Sequence, residues 1–259
     1  MALTHQQCID IKTLLIVSLK KKFQNYKPEP SSMPFHTRLL GRDRMALFSF
    51  IHSLNTNFGS SIFEPVAKAI ANSNFRNVWL KQNAGSSISA KAHEAIQIIM
   101  DNLSTATSMP NKVNEINVIR EAAQKGSIKN VKLTKVDIKL ESKSGEIYLI
   151  DIKAAKPNMG EFKGYKRTLL EWVAATLAED AETQINTLIA IPYNPYEPHP
   201  YARWTMRGML DLNEELKVAD EFWDFLGGTG TYIQLLDIFE RTGIELRPEI
   251  DNYFSKYTK

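Results

Sequence analysis

Asp151 and Lys153 stand two residues apart at the end of an apolar run, "IYLIDIKAAKPN" at 147–158. A β-strand turns residues i and i+2 to one face, so the pair is expected to project side by side from a strand tip. Asp137 lies upstream in "VKLTKVDIKL" (131–140), with thirteen residues between the two aspartates. That is room for one strand, a tight turn and a strand back. Two carboxylates on neighbouring strands suit a hard divalent cation such as Mg²⁺, which takes oxygen ligands and accepts a substrate phosphate as another. Such an ion polarises a phosphoryl oxygen and acidifies an attacking water. A lysine beside it can position that water and offset charge at phosphorus. These residue types at this spacing suit metal-assisted attack of water at phosphorus; a bare Asp-x-Lys is also common as solvated charge on an exposed strand.

The chemistry sets a condition on the elements. Val136, Ile138 and Leu140 alternate with Asp137 and Lys139, after a phase slip near Thr134 and Lys135. If the two runs form a hairpin around "ESKSG", the aspartates share a face only when the turn holds an odd number of residues, three or five. Helical signals fill the preceding half. Thr4 is placed to cap a helix carrying Ile11, Leu14, Leu15 and Leu19, and "SIFEPVAKAIA" (61–71) opens with the Ser-x-x-Glu pattern of a capping box. "SAKAHEAIQIIMDNL" and "KVNEINVIREAAQKG" read as two more helices, the second ending near Gly126. After the hairpin, "KGYKRTLLEWVAATLAED" is helical, "NTLIAIPY" (186–193) is a short buried strand, and two glycine-terminated helices follow. The expected fold is α/β: a mixed central β-sheet flanked by helices, with a helical N-terminal region. One domain is expected over 1–259, with a helical part to about 128, a core at about 129–210 and C-terminal helices at about 211–259.

Composition narrows the class. The chain is 43% hydrophobic, enough for a sizeable core, and no apolar run approaches the ~18 residues of a membrane span. The N-terminal stretch reads as an amphipathic helix rather than a signal peptide, so a cytoplasmic protein with no membrane partner is expected. One cysteine, Cys8, excludes an intrachain disulfide framework, and the five histidines form no zinc motif. "GGTGTY" (227–232) lacks the Lys-Ser/Thr of a phosphate loop, so no nucleotide cofactor is expected. The net charge is +3, yet residues 129–167 carry ten Lys/Arg against five Asp/Glu. Positive charge gathered around the Asp-x-Lys strand suits a polyanionic partner, and on charge alone a solvated lysine face is an equal reading.

"VD" at 136–137 followed by "IDIK" at 150–153 resembles the PD-(D/E)xK nuclease superfamily, with Val136 where that pattern usually has proline. The wider sequence is similar to type II restriction endonucleases, nearest to the TdeIII/MjaII-like group. "NFGSSIFEPVAKAIA" (57–71) resembles an N-terminal helix of that class, and 151–172 its active-site strand and following helix. Residues 221–240 resemble a late helical segment of enzymes that cut GG-any-CC sites. The resemblance implies a restriction-endonuclease-like core and Mg²⁺-dependent cutting of double-stranded DNA, giving 5′-phosphate and 3′-hydroxyl ends. It implies Asp137 and Asp151 as metal ligands and Lys153 as their catalytic companion. Glu64 is either a further acid near the metal, as in many such enzymes, or the capping residue its own motif suggests.

Several cations and polar side chains follow the active strand. Lys156, Asn158, Lys163, Lys166 and Arg167 are candidates to hold phosphates or read bases. The loop at 193–208 offers Asn194, Tyr196, His199, Arg203 and Arg207 as further DNA contacts, since loops on a rigid sheet often carry recognition. Glu115, at a helix start, reads as favourable to the helix dipole. A palindromic site implies a homodimer, and the N-terminal helix and the aromatic-rich 221–240 region are candidates for its interface, with core as the other reading of each. Two other readings compete: a repair or recombination nuclease, and a non-catalytic DNA-binding protein on the same fold. Discrete fragments from phage DNA with Mg²⁺ would favour restriction, a smear the repair nuclease, and a mobility shift without cutting the binding protein.

Overall fold

The computed structural model describes residues 2–27, 33–153, 161–202 and 206–255, without the side chains of 56 and 57. The chain divides into two compact units, Met1–Ile70 with Gly228–Lys259, and Ala71–Gly227.

The first unit is helical. Helix α1 (His5–Asn25) begins at Thr4, whose side chain accepts from the Gln7 amide while the Gln7 side chain accepts from the Thr4 amide. This reciprocal cap fixes where the helix starts. Ile11 and Leu15 are buried along it, and a cluster of Phe23, Phe50, Tyr253 and Phe254 rings packs nearby. Helix α2 (Pro34–Leu40) precedes α3 (Arg42–Phe58), which runs through a π-helical turn (Gly59–Phe63) directly into α4 (Glu64–Ala71). The expected helix start at Ser61 is therefore corrected. Backbone helix continues across it, so there are no free N–H groups for Ser61 to cap. Helix α9 (Thr231–Ser255) completes the unit.

The second unit is built on a mixed five-stranded sheet. Its order is β1 (Asn77–Gln82), β4 (Val136–Glu141), β5 (Ile147–Ile152), β6 (Ile185–Ile191) and β7 (Leu216–Val218). The first three are antiparallel neighbours, and β5, β6 and β7 run parallel. Strands β2 (Ser87–Ser89) and β3 (Ile128–Asn130) form a separate antiparallel pair. Helices α5 (Ala90–Ser104), α6 (Lys112–Ala123), α7 (Phe162–Glu179) and α8 (Asp220–Gly227) accompany the sheet. The fold class is the one expected.

Why the centre of this sheet holds together is legible in its residues. Val136, Ile138 and Leu140 are fully buried, alternating with half-exposed Asp137, Lys139 and Glu141. In β5, Leu149 and Ile150 are both fully buried, because this strand is covered on both faces. Helix α7 provides one cover: the Thr187 hydroxyl of β6 donates to the Leu169 carbonyl. Its fit requires Gly85, where an added Cβ would lie 2.8 Å from the Ala175 carbonyl oxygen. The expected strand from 131 begins instead at Val136. The Trp172 indole donates to the Thr134 carbonyl at 2.8 Å, which ties the preceding segment to α7 rather than to the sheet.

Of the two regions expected to form a dimer interface, Leu15, Phe222, Trp223 and Tyr232 are buried in the chain itself and serve as core. Trp223 further donates its indole N–H to the Pro192 carbonyl at the end of β6.

Candidate active site

The hairpin satisfies the parity condition. Glu141 pairs with Ile147 and Ile138 with Ile150, so the turn holds five residues, 142–146. The bend falls at Gly145, whose φ of +94° is a left-handed conformation that glycine adopts without a Cβ clash. Continued by one step, this register sets Asp137 opposite Asp151 on the same face. The Asp137 carboxylate reaches across to β5 and accepts the Ile152 backbone N–H at 2.8 Å through Oδ2. Asp151 accepts from the Lys153 ammonium at 2.8 Å through Oδ2. Two acids and a lysine thus meet at the strand tip, as the spacing suggested.

Their surroundings set the charge. Asp151 is 4% exposed, and its pKa is pushed up to about 6. Burial is the main cause; Lys153 pulls the value down, and the adjacent Asp137 carboxylate pushes it up. Lys153 lies over the Tyr165 ring at 4.7 Å from its centroid, and the Tyr165 hydroxyl donates to Glu161 at 2.6 Å. Burial, Glu161 and Asp151 together raise the Tyr165 hydroxyl above its ordinary range. A further cation that the sequence did not reveal stands on β1: Lys81 donates to Asp137 Oδ1 at 2.6 Å. Its only signal was a strand, "NVWLKQ", too short and irregular to announce a partner for β4.

The remaining expected residues scatter. Lys166 is fully buried and cannot contact DNA; its ammonium binds Glu115 and, at 2.6 Å, Glu215. Lys112 completes the network, donating to Glu215 at 2.9 Å and to the Thr187 hydroxyl at 2.6 Å. Burial lowers the Lys112 pKa against the pull of Glu215. Burial pushes the Glu215 carboxyl up, but Lys112 and Lys166 outweigh it and hold it below its usual range. Glu115 is therefore a buried ion-pair partner, beyond the dipole role expected of it.

Lys163, His199 and Arg207 are exposed. Arg167 donates to Gln97 at 2.8 Å. Tyr196 is 37% exposed and packs edge-on to Tyr201. Asn194 braces its own loop: its amide nitrogen donates to the His199 carbonyl, and its oxygen accepts the Tyr196 N–H. Lys156, Asn158 and Arg203 lie outside the described residues. Glu64 belongs to the first unit, is 4% exposed, and begins α4 directly after the π-turn. Among the described residues, no helix is long and apolar enough to cross a membrane.

Comparison with known proteins shows the family. The family described as "Type II restriction endonuclease, HinfI" matches residues 3–243. The chain belongs to this family of type II restriction endonucleases, and is a site-specific deoxyribonuclease. Type II restriction enzyme MjaII of Methanocaldococcus jannaschii is 27% identical, over 89% of this chain and 68% of the relative. HgiCII of Herpetosiphon aurantiacus is 24% identical over 84% of this chain and 80% of the relative. HgiEI of the same organism is 26% identical over 84% and 79%.

Proposed function

We propose that this endonuclease hydrolyses double-stranded DNA at the Asp137–Asp151–Lys153 centre, with Mg²⁺ as cofactor. The observation that carries the proposal is one face of one hairpin presenting two carboxylates, one of them buried, with a lysine 2.8 Å from the buried one. Asp137 and Asp151 would hold the ion. Their oxygen donors fit it: Mg²⁺ is commonly bound by one or two carboxylates, with waters and a substrate phosphate as its other ligands. The proximity of Asp137 helps raise Asp151, a repulsion that a bound cation would relieve. When bound, the ion supplies Lewis-acid polarisation of the phosphoryl oxygen and acidification of water.

The chain's own groups do the positioning. The Ile152 N–H holds Asp137 in place, and Tyr165 confines the Lys153 ammonium beside Asp151. Lys153 orients the attacking water and offsets charge as the water oxygen bonds to phosphorus. The bond to the 3′-oxygen breaks, the attacking water gives a proton to solvent, the 3′-oxygen takes one from solvent, and the phosphate stays on the 5′ end. Exposed Lys163, His199 and Arg207 add contacts to DNA. The site is a short palindrome, with GG-any-CC suggested by the resemblance at 221–240, and the enzyme acts as a homodimer.

Digestion of phage DNA with Mg²⁺, and with EDTA in its place, tests the reading. Discrete fragments with Mg²⁺ alone are expected, and sequencing their ends reads the site, the cut position and the terminal phosphate. Equal cutting in EDTA contradicts the metal assignment.

A further inference from the structure

Both oxygens of Asp137 are already engaged by this chain. Oδ2 accepts the Ile152 backbone N–H at 2.8 Å, and Oδ1 accepts the Lys81 ammonium at 2.6 Å. The two donors differ in kind. The backbone N–H is fixed by the sheet, whereas Lys81 sits at the end of a flexible stem with its side chain 45% exposed. A divalent cation drawn to Asp137 Oδ1 therefore competes with the Lys81 ammonium for the same oxygen.

The backbone beneath Lys81 is unusual. Its φ is +55°, a left-handed conformation, although the residue lies inside β1 between the paired positions Leu80 and Gln82. Glycine and asparagine take this conformation readily, while an ordinary L-residue is strained in it. Strain of this kind persists where surrounding structure or function imposes it, and it clusters at active sites. Here it accompanies a cation aimed at the proposed metal-binding carboxylate.

We infer that Lys81 is the exchangeable cation of the active centre. It neutralises Asp137 while no divalent ion is bound, and on metal loading it turns to the substrate phosphate, where it acts as a second catalytic lysine beside Lys153. The inference rests on the nuclease reading of this centre. An ammonium released from a carboxylate by a dication finds its nearest strong acceptor in the phosphate that shares the ion, so no charge is left unpaired at either stage.

Lys81→Gln tests it with two readouts. In Mn²⁺ titrations of the DNA-free protein followed by electron paramagnetic resonance, the variant should bind the ion about fivefold tighter, the scale of one partly exposed ion pair. In single-turnover cutting at saturating Mn²⁺ it should be at least about tenfold slower than wild type, as expected for loss of one charge-stabilising donor. Lys81→Gly separates function from folding. It relieves the backbone strain while removing the ammonium, so it should fold and still cut slowly. Unchanged Mn²⁺ affinity or unchanged cutting in Lys81→Gln overturns the inference, as does wild-type cutting by Lys81→Gly. A wild-type protein that binds Mn²⁺ but cuts no DNA overturns the nuclease reading itself.

Discussion

Asp137 on β4 accepts the backbone N–H of Ile152 on β5 at 2.8 Å, so a side chain closes the hairpin where the strand ladder would otherwise end. The acid that the chemistry needs is thereby also a structural clasp. Replacing it by alanine removes both roles, and replacing it by asparagine keeps an oxygen for the N–H and removes the charge.

Asp137→Asn should therefore fold and lose cutting. Its thermal melt should lie within a few degrees of wild type, while cleavage of phage DNA falls to background with Mg²⁺. Asp137→Ala should lose cutting as well and also be less stable, by about 1–3 kcal/mol for an orphaned N–H. Equal stability of the two variants in denaturant titrations would argue against the clasp.

Asp151 makes stability depend on pH. Its pKa is raised from 3.8 to about 6 in the fold. Between those values the folded protein keeps a proton that the unfolded chain has released, so this group's contribution to stability falls as pH rises through that window. At pH 8 the buried anion is a full cost in the metal-free protein. Asp151→Asn should then be more stable than wild type in EDTA at pH 8, by about 1–3 kcal/mol. The gap should narrow as pH falls below about 6. A less stable variant at pH 8 would show that the pairing with Lys153 outweighs burial.

Lys166 and Lys163 are three residues apart and should behave oppositely. Lys166→Met leaves Glu115 and Glu215 without a buried partner, so a loss of about 3–5 kcal/mol in denaturant melts is expected. Lys163→Gln should leave stability within about 0.5 kcal/mol. If Lys163 holds a phosphate, its loss weakens binding to all sequences alike and reduces the salt dependence of binding by about one counterion. Loss at the cognate site alone would identify Lys163 as a base reader.

The contrast between these lysines marks what the sequence made legible. The trio could be read because its geometry is local: period-two alternation, a turn of odd length and a short separation place all three residues without knowledge of the rest. Lys166 could not be read, because its partners Glu115, Lys112 and Glu215 lie about fifty residues away in either direction and carry no shared pattern. Strands β2, β3 and β7, of three residues each, lack the length for alternation to show. Lys81 was hidden for a different reason: only the long-range pairing of β1 with β4 brings it to Asp137. At Ser61 a correct local motif misled, because the helix was already under way.

A palindromic site offers the same bond on each strand, and one centre reaches only one strand. A two-fold dimer supplies the second. Light scattering of the DNA-free protein should give about twice the chain mass of 29.4 kDa. A particle that stays monomeric with and without its cut site would contradict the homodimer.

Cutting by Lys153→Ala is the most direct measurement. Single-turnover digestion of a plasmid carrying the cut site, with Mg²⁺, should yield discrete fragments from wild type and none from the variant. A filter-binding assay on the same DNA should find the variant's affinity largely retained, since one phosphate contact among many carries only part of it. A Lys153→Ala enzyme that cuts at the wild-type rate would contradict the assignment of this centre.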